Sequence, residues 1–419
     1  MTTQTQYITL KNVKKAASLL KDVVLETLLQ KNQFLSDKYD ANIVFKREDL
    51  QEVRSFKIRG AYHKITSLTP EELNQGIVCA SAGNHAQGVA YSCKLKKIKG
   101  VIFMPTPTPN QKIEQVKMFG GEYVELVLTG DTFDDAYDAA MLYCTEKKMS
   151  FVHPFHDIKV IEGQATIALE ILAQSKKPID YLFLPVGGGG LAAGVSIMFK
   201  ELSSNTKIIG VEPKGAPSMS ISITNGFNTK IENIDKFIDG ASVQKVGDLN
   251  FEICREYLDE MVTVHEGKVC QTILDLYNKN AIVVEPAGAL TTAVLDQFSD
   301  ELKGKNVVCL ISGSNNDITR TEEIKERALL YSGHKHYFII KFPQRAGALR
   351  EFLNDILGPN DDITHFEYSK KHNRNSGPAI VGLEIANPND IDQLIVKMRT
   401  KKFFGEYLND KPDLFQVLV

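Results

Sequence analysis

Short apolar runs alternate with helix-like stretches over the first three quarters of the chain. Apolar runs bounded by turn residues are typical of buried strands, and repeated strand–helix units are typical of a parallel sheet. The runs are NIVFKRE, GIVCASAG, GVIFMP, YVELVLTG, YLFLPVGGG, KIIGVEP and NVVCLISGS, and one of the helix-like stretches is TFDDAYDAAMLYCTEK. We therefore predict an α/β fold in which ligands bind at the carboxyl ends of the strands, where the glycine-rich segments fall.

The pattern changes in the last part of the chain. HKHYFIIKF, ITHFEYSKK, PAIVGLEI and DLFQVLV are typical of strands, whereas GALREFLNDIL and NDIDQLIVKMRTKKF have the apolar spacing of helices. The resulting order, β-α-β-β-α-β, predicts a ferredoxin-like domain. The polar helical stretch TRTEEIKERALLYSG joins it to the α/β part. We place the boundary near Gly333 and predict two domains, 1–325 and 334–419.

Composition narrows the class of protein. A chain of 419 residues is too long for one ordinary domain. Its net charge of −3 argues against a nucleic-acid partner. No apolar run reaches the length of a membrane span, and the N-terminus MTTQTQYITLKNVKK lacks the pattern of an export signal. The six cysteines are scattered without a CxxC pair, so we expect a reduced, cytoplasmic protein with no membrane partner.

Lys57 has an unusual setting in the stretch SFKIRGAY, between Phe56 and Ile58. A partly apolar environment lowers the pKa of a lysine ammonium, and the neutral amine is a nucleophile that forms Schiff bases with carbonyl groups. The alternative is a lysine whose aliphatic stem lies on the core while its amine reaches water. The octapeptide alone leaves both interpretations open.

Three further segments place small and polar residues where a strand ends. In ASAGNHAQGVAY we expect Ser81 to cap a helix whose free N–H groups, with the Asn84 amide, bind an anion. In LPVGGGGLAAG the glycines Gly187–Gly190 can close around a phosphate, although the spacing is neither a dinucleotide fingerprint nor a P-loop. In CLISGSNND the Ser312 hydroxyl can bond a ring nitrogen without charging it. Each segment alone is also compatible with a tight turn that binds nothing.

Taken together and in this order, SFKIRGA, ASAGNHAQG, VGGGGLAAG and the Ser312 segment resemble the pyridoxal-phosphate (PLP) enzymes of the tryptophan-synthase-β fold type. They resemble the threonine dehydratases (threonine ammonia-lyases) more closely, from about Ile8 to Arg320. The resemblance implies a two-lobed PLP-dependent catalytic domain in which Lys57 holds pyridoxal 5'-phosphate, Asn84 bonds its 3-hydroxyl and Ser312 faces its pyridine nitrogen. It implies that the phosphate is wrapped by Gly187, Gly188, Gly189, Gly190 and Leu191.

The same resemblance implies the reaction. Lys57, once freed from the cofactor, acts as the base at Cα of L-threonine, and loss of the β-hydroxyl leads to 2-oxobutanoate and ammonia, the first step of isoleucine biosynthesis. Ser81, Asn84 and His85 hold the substrate carboxylate. A neutral Ser312 beside the pyridine nitrogen gives a weaker electron sink than a carboxylate would, which suits prompt β-elimination.

The tail, with KFPQRAGALREF, resembles a single copy of the ACT-like regulatory domain of the biosynthetic enzymes. The implied role is feedback control by isoleucine or valine bound near the turn Arg345–Leu349. A ferredoxin-like sheet with open edges tends to pair with a copy of itself, so we expect a homo-oligomer and favour a tetramer.

Alternative functions share these residues. A serine dehydratase or serine racemase has the same fold and needs the same lysine, asparagine, glycines and serine; the regulatory tail argues against it. A non-catalytic amino-acid sensor is expected to lose the lysine or the phosphate loop, and both are present.

Glu285 and Glu212 are each compatible with more than one role. Glu285 in VVEPAGAL is compatible with a place beside the cofactor and equally with a helix cap. Glu212, Ala216 and Ser218 have the spacing that some relatives use for a cation, but those relatives carry an acid where this chain has Ser218. We therefore expect no metal.

Overall fold

The computed structural model describes residues 8–368, 376–411 and 414–415. The chain forms two compact units, Met1–Ile318 and Thr319–Val419. The helix Thr321–Tyr331, which the sequence pattern suggested as the connection between domains, is counted with the second unit.

The first unit is an α/β structure with two mainly parallel sheets. Its strands are β1 (Leu29–Lys31), β2 (Asn42–Arg47), β3 (Ile77–Ala80), β4 (Gly100–Met104), β5 (Val124–Leu128), β6 (Ser150–Phe151), β7 (Tyr181–Pro185), β8 (Lys207–Pro213), β9 (Glu260–Val264) and β10 (Asn306–Ile311). The larger sheet has the order β1-β2-β10-β7-β8-β9, and the smaller has the order β5-β4-β3-β6. Except for β1, which runs antiparallel to β2, neighbouring strands in both sheets are parallel.

Helices cover both sheets. They are α1 (Leu10–Leu20), α2 (Gln33–Tyr39), α3 (Lys57–Thr66), α4 (Pro70–Gln75), α5 (Asn84–Lys96), α6 (Asn110–Gly120), α7 (Phe133–Lys147), α8 (Ile158–Gln174), α9 (Gly190–Leu202), α10 (Ser218–Asn225), α11 (Asp248–Tyr257), α12 (Glu266–Asn280) and α13 (Pro286–Ala293). Because the central strands are covered on both faces, they are largely buried and mostly apolar, which is why their runs are visible in the sequence. The strand β5 is half exposed because it lies at the edge of the smaller sheet.

Close helix crossings fix α3 at the centre of the first unit. A Cβ atom on Gly163 of α8 would lie 2.6 Å from the Arg59 carbonyl oxygen and 2.7 Å from the Cα of Gly60 in α3. On the other side of α8, a Cβ atom on Gly194 of α9 would lie 2.5 Å from the Ile161 carbonyl oxygen. Only glycine permits backbones to approach this closely, so α3, α8 and α9 stack with little freedom to slide.

A buried ion network also holds α3, partly to the same helix α8. Arg59, which is fully buried, donates to Glu48 at 2.8 Å and to Glu170 of α8 at 2.6 Å. Lys46, also fully buried, lies 2.6 Å from Glu170 and donates to the Thr27 carbonyl at 2.7 Å. Two acids balance two bases within this network.

The second unit is a ferredoxin-like domain, as predicted. After α14 (Thr321–Tyr331) come β11 (Lys335–Pro343), α15 (Ala348–Asp355), β12 (Asp362–Tyr368), β13 (Ser376–Glu384), α16 (Ile391–Thr400) and β14 (Phe404–Tyr407). The strands form one antiparallel sheet in the order β12-β13-β11-β14. Its core contains the buried rings of Phe338, Phe352 and Phe403.

The last strand of this domain was predicted at the wrong place. The motif is closed by β14 at Phe404–Tyr407, whereas the apolar pattern of DLFQVLV favoured 413–419. Most of that predicted segment lies outside the described residues, and its described part, 414–415, is helical. A strand of four half-exposed residues has too weak a pattern to stand out in the sequence.

Candidate active site

The amine of Lys57 lies at a cavity rather than on the outer surface. Lys57 is the first residue of α3 and is half-buried, and its Nζ donates to the Pro154 carbonyl at 3.0 Å. Burial lowers the pKa of Lys57 to about 8, against the opposing effect of the Glu285 carboxylate. The N-terminus of a helix also disfavours a cation. The amine is therefore much easier to deprotonate than an ordinary lysine, as a nucleophile requires.

The glycine loop lines the same cavity. Gly187–Gly189 lie between β7 and α9, and Gly190 and Leu191 are the first two residues of α9. A Cβ atom on Gly188 would lie 2.2 Å from the ring of Phe155, and Gly189 has a φ of +87°. The loop is also fixed, because Asn250 Nδ2 donates to the Gly188 carbonyl at 2.6 Å. Its N–H groups, together with the N-terminus of α9, form a cradle that fits a phosphate.

Ser312 completes the lining of the cavity. It follows β10 directly and is buried, with 2% of its surface exposed. A hydroxyl can donate or accept without carrying a charge, so this group fits the ring nitrogen of a cofactor in the cavity.

The Ser312 segment and the Lys57 segment run side by side, although they lie far apart in sequence. Phe56 N donates to the Ser312 carbonyl at 3.1 Å, and Ser314 N donates to the Arg54 carbonyl at 2.9 Å. Between these contacts, Ser55 and Gly313 form an isolated antiparallel bridge. The backbone thus sets the distance between the lysine and the serine.

The turn ASAGNHAQG differs from the expectation in one respect. The helix α5 begins at Asn84, with Gly83 at its N-cap, so the prediction that Ser81 caps the helix is wrong. Ser81 Oγ instead accepts from Gly83 N at 3.2 Å, which leaves its hydroxyl proton free to donate. The first N–H groups of α5 remain without intrahelical partners.

The His85 ring is neutral and cannot pair with an anion. Its ring is buried, and Nε2 lies 2.8 Å from the Val152 carbonyl oxygen. Burial, followed by the proximity of Lys57, lowers the pKa of His85 to about 3, so the ring is neutral. Because Nε2 must carry the proton to donate to a carbonyl, Nδ1 can only accept. Of His85, only the backbone N–H can therefore contact a substrate carboxylate.

Asn84 is bonded to Glu285, which the sequence had singled out with two possible roles, and to Asn315, which it had not. Its Nδ2 donates to Glu285 Oε1 at 2.7 Å, and its Oδ1 accepts from Asn315 Nδ2 at 2.7 Å. Glu285 is at the N-cap position of α13 but makes no capping bond with its side chain, so the cap interpretation is not supported. Burial, and next the nearby charge of Asp239, raise the pKa of Glu285 to about 7. The sequence signal for Glu285 was an acid that follows an apolar run and precedes Pro286.

Glu212 has ordinary partners. It is buried and accepts from Met219 N at 2.7 Å, from Ser220 N at 2.9 Å and from Ser220 Oγ at 2.7 Å. The first turn of α10 therefore satisfies this carboxyl group without a cation. In the part of the chain that the structure describes, no group of three or more His, Cys, Asp or Glu side chains could hold a metal ion. Nor does that part contain a helix of membrane-spanning length and hydropathy.

Comparison with known proteins decides the family. The model of the pyridoxal-phosphate dependent enzymes matches residues 20–313, and that of the C-terminal regulatory domain of threonine dehydratase matches residues 326–418. The biosynthetic L-threonine dehydratase IlvA of Halalkalibacterium halodurans is 55% identical over 412 residues, covering 98% of this chain and 99% of the relative. The chain belongs to the threonine dehydratase family. The predicted family, fold class, cofactor and activity are thereby confirmed: it is a PLP-dependent lyase that deaminates threonine.

Solved structures agree with membership of the threonine dehydratase family. The processed form of threonine deaminase isoform 2 from Solanum lycopersicum is 40% identical with a TM-score of 0.74, and the match covers 78% of this chain and 88% of that one. Serine racemase from Dictyostelium discoideum is 31% identical with a TM-score of 0.69. All of that racemase chain matches 74% of this chain, so the catalytic fold alone does not separate the two activities. The match to the regulatory-domain model favours threonine dehydratase.

The lowered pKa of Lys57 generates a pH prediction. Only the neutral amine can attack the cofactor aldehyde, so the rate at which cofactor-free protein captures pyridoxal phosphate rises with pH and levels off above about 8. The rate is measured from the change in visible absorbance on mixing, with N-acetyl-lysine as the reference amine. A midpoint near the ordinary lysine value of 10.5 would show that the amine is not shielded by burial.

Proposed function

We propose that Lys57 both tethers the cofactor and serves as the base of threonine deamination, in the first step of isoleucine biosynthesis. The observation that carries the proposal is that Lys57, the glycine loop and Ser312 line one cavity. When bound, pyridoxal phosphate supplies an electron sink that acidifies the α-proton of an amino acid and allows a β-substituent to leave. The side chains of this chain decide how that capacity is used.

Each of the residues that line the cavity has a defined role in this proposal. The N–H groups of Gly187–Gly190, with Leu191 behind them, bind the phosphate at the N-terminus of α9. Ser312 bonds the ring nitrogen without giving it a full charge. Lys57, uncharged once its proton is lost, takes the proton from Cα of the substrate. Its contact with the Pro154 carbonyl shows that the amine has an acceptor when no cofactor is bonded to it.

The substrate carboxylate is proposed to bind at the turn before α5. The Ser81 hydroxyl and the backbone N–H groups of Asn84 and His85 are donors there, and the N-terminus of a helix attracts an anion. None of these donors carries a charge, so the carboxylate is held by directed hydrogen bonds and not by an ion pair. With the carboxylate held there, the α-carbon of the substrate is proposed to lie near Lys57.

The second unit is proposed to bind isoleucine or valine as a feedback effector. The turn between β11 and α15 contains Gly347, with a φ of +83°, at the N-cap of α15. The first N–H groups of α15 can receive an amino-acid carboxylate, and the nearby side chains of Leu349 and Leu353 are each 43% exposed. The free edges of the sheet, β12 and β14, suit self-association, so we propose a cytoplasmic homo-oligomer and favour a tetramer.

Replacing Lys57 tests the catalytic role. Lys57→Ala should lower threonine turnover by at least about a hundredfold, since it removes the base. The phosphate cradle should still bind the cofactor, although without the yellow absorption of a lysine-linked cofactor. Lys64→Ala is the matched control, because Lys64 lies in the same helix and pairs with Asp157 at 2.8 Å. Turnover by Lys57→Ala at the level of the control would exclude Lys57 from the chemistry.

Effector binding is tested by comparing the full-length chain with a chain that ends at Ile318. Saturation by threonine, with serine as the second substrate, is measured with and without isoleucine or valine. A coupling of about 1–3 kcal/mol changes the apparent affinity for threonine roughly 5- to 150-fold. The full-length chain should respond to at least one amino acid, and the shortened chain to neither. Equal responses of the two chains would place the effector outside the second unit.

A further inference from the structure

A chain of side-chain hydrogen bonds runs through Asn84. Asn315 Nδ2 donates to the Val53 carbonyl at 2.9 Å and to Asn84 Oδ1 at 2.7 Å. Asn84 Nδ2 donates in turn to Glu285 Oε1 at 2.7 Å. These residues come from four separate segments: the one before α3, the start of α5, the start of α13 and the segment after β10.

The donor-to-acceptor direction of this series of hydrogen bonds follows from the Val53 carbonyl. The Val53 carbonyl can only accept, so Asn315 must turn its NH2 group toward it. The same NH2 group reaches Asn84, which must therefore present its amide oxygen. The NH2 group of Asn84 is then left facing Glu285, whose carboxylate accepts. A flipped Asn84 amide would set its oxygen against Glu285 and its NH2 group against that of Asn315, with both bonds lost.

Glu285 is itself fixed at the other end of the chain. It is buried, its backbone N donates to the Gly313 carbonyl at 3.2 Å, and its carboxylate accepts from the backbone of Asn315. A Cβ atom on Gly313 would lie 2.4 Å from Glu285 Oε1, so the carboxylate occupies space that only a glycine at position 313 leaves open. Both ends of the chain are therefore set by backbone groups, and the amide of Asn84 is held between them.

We propose that Asn315 and Glu285 are positioning residues that fix the amide of Asn84 in the orientation needed to donate to the 3-oxygen of the cofactor. The inference rests on the proposed contact of Asn84 with that oxygen. An amide NH2 group has two protons. Glu285 takes one, and the amide oxygen is committed to Asn315, so the second proton is the polar group that Asn84 can still offer. This proton gives Asn84 a donor for a ligand, which matches the acceptor character of the 3-oxygen.

Substitution of Asn315 tests the direction of the chain. Asn315→Asp places an acceptor against the Val53 carbonyl and Asn84 Oδ1, and so drives the Asn84 amide to flip. We expect the full-length, cofactor-free variant to bind pyridoxal phosphate about tenfold more weakly, the scale of one lost hydrogen bond to a charged acceptor. The absorption maximum of the bound cofactor should shift as well, because its 3-oxygen loses a donor.

Asn306 provides a matched control at the opposite end of β10. Its Nδ2 donates to the Pro178 carbonyl at 2.9 Å, and its Oδ1 accepts from Asn42 Nδ2 at 2.6 Å. Like Asn315, it is bonded to one backbone carbonyl and one asparagine, but here its own amide oxygen is the acceptor. Asn306→Asp should destabilise the fold to a similar extent in thermal melts while leaving the cofactor affinity and spectrum unchanged. An equal loss of cofactor affinity in both variants would show that Asn315 is only structural, and would overturn the proposal.

Substitution of Glu285 gives an independent readout if Asn315→Asp does not fold. Glu285→Gln can still accept from Asn84 through its amide oxygen, whereas Glu285→Ala cannot. The proposal requires the alanine variant to have the weaker cofactor affinity and the shifted spectrum, and the glutamine variant to be close to the parent. The reverse order, or no difference between the two variants, would contradict it.

A double-mutant cycle separates this inference from the proposed role of Asn84. If the contact of Asn84 with the cofactor is right, Asn84→Ala weakens cofactor binding and shifts the spectrum on its own. If the positioning role is right, Asn315→Asp adds little further loss in the Asn84→Ala background. An undiminished loss in that background would overturn the positioning role alone. A neutral Asn84→Ala would overturn the contact itself, and the positioning role with it.

Discussion

The active site depends on keeping one lysine amine shielded from water and easy to deprotonate. Burial lowers the pKa of Lys57 to about 8, and burial of a charged group would be costly unless it were paired. The helix that carries Lys57 cannot move to relieve this cost. The glycine crossing at Gly163 and the Arg59–Glu170 ion pair fix α3 to α8, and the Arg59–Glu48 ion pair fixes it to the segment after β2.

The need for an uncharged amine at Lys57 also bears on the other polar groups of the site. The N-termini of α3 and α9 bring unpaired backbone N–H groups to the cavity, where anions are favoured. Ser312 is a hydroxyl, and the nearby His85 is a neutral ring with a pKa of about 3. In the proposed function, the anionic groups of the cofactor and substrate are bound by directed hydrogen bonds from these uncharged donors.

The parts of the site that depend on local sequence were predictable. The apolar neighbours of Lys57, the four glycines between a strand and a helix, and Ser312 at a strand end each leave a pattern within a few residues. The bonds of Asn84 to Glu285 and Asn315 leave none, since they join residues 201 and 231 positions apart. Ser81 was misplaced because α5 begins three residues later, at Asn84, with Gly83 at its N-cap. The final strand was misplaced because β14 is short and half exposed.

The most direct test of the account is to locate the cofactor on the chain. Reduction of the yellow full-length protein with borohydride converts its carbon–nitrogen link to the cofactor into a stable amine, and peptide mass spectrometry identifies the modified lysine. The account predicts a pyridoxyl group on Lys57 and on no other lysine. Modification of a different lysine, or a reduced protein in which the peptide containing Lys57 is unmodified, would contradict it.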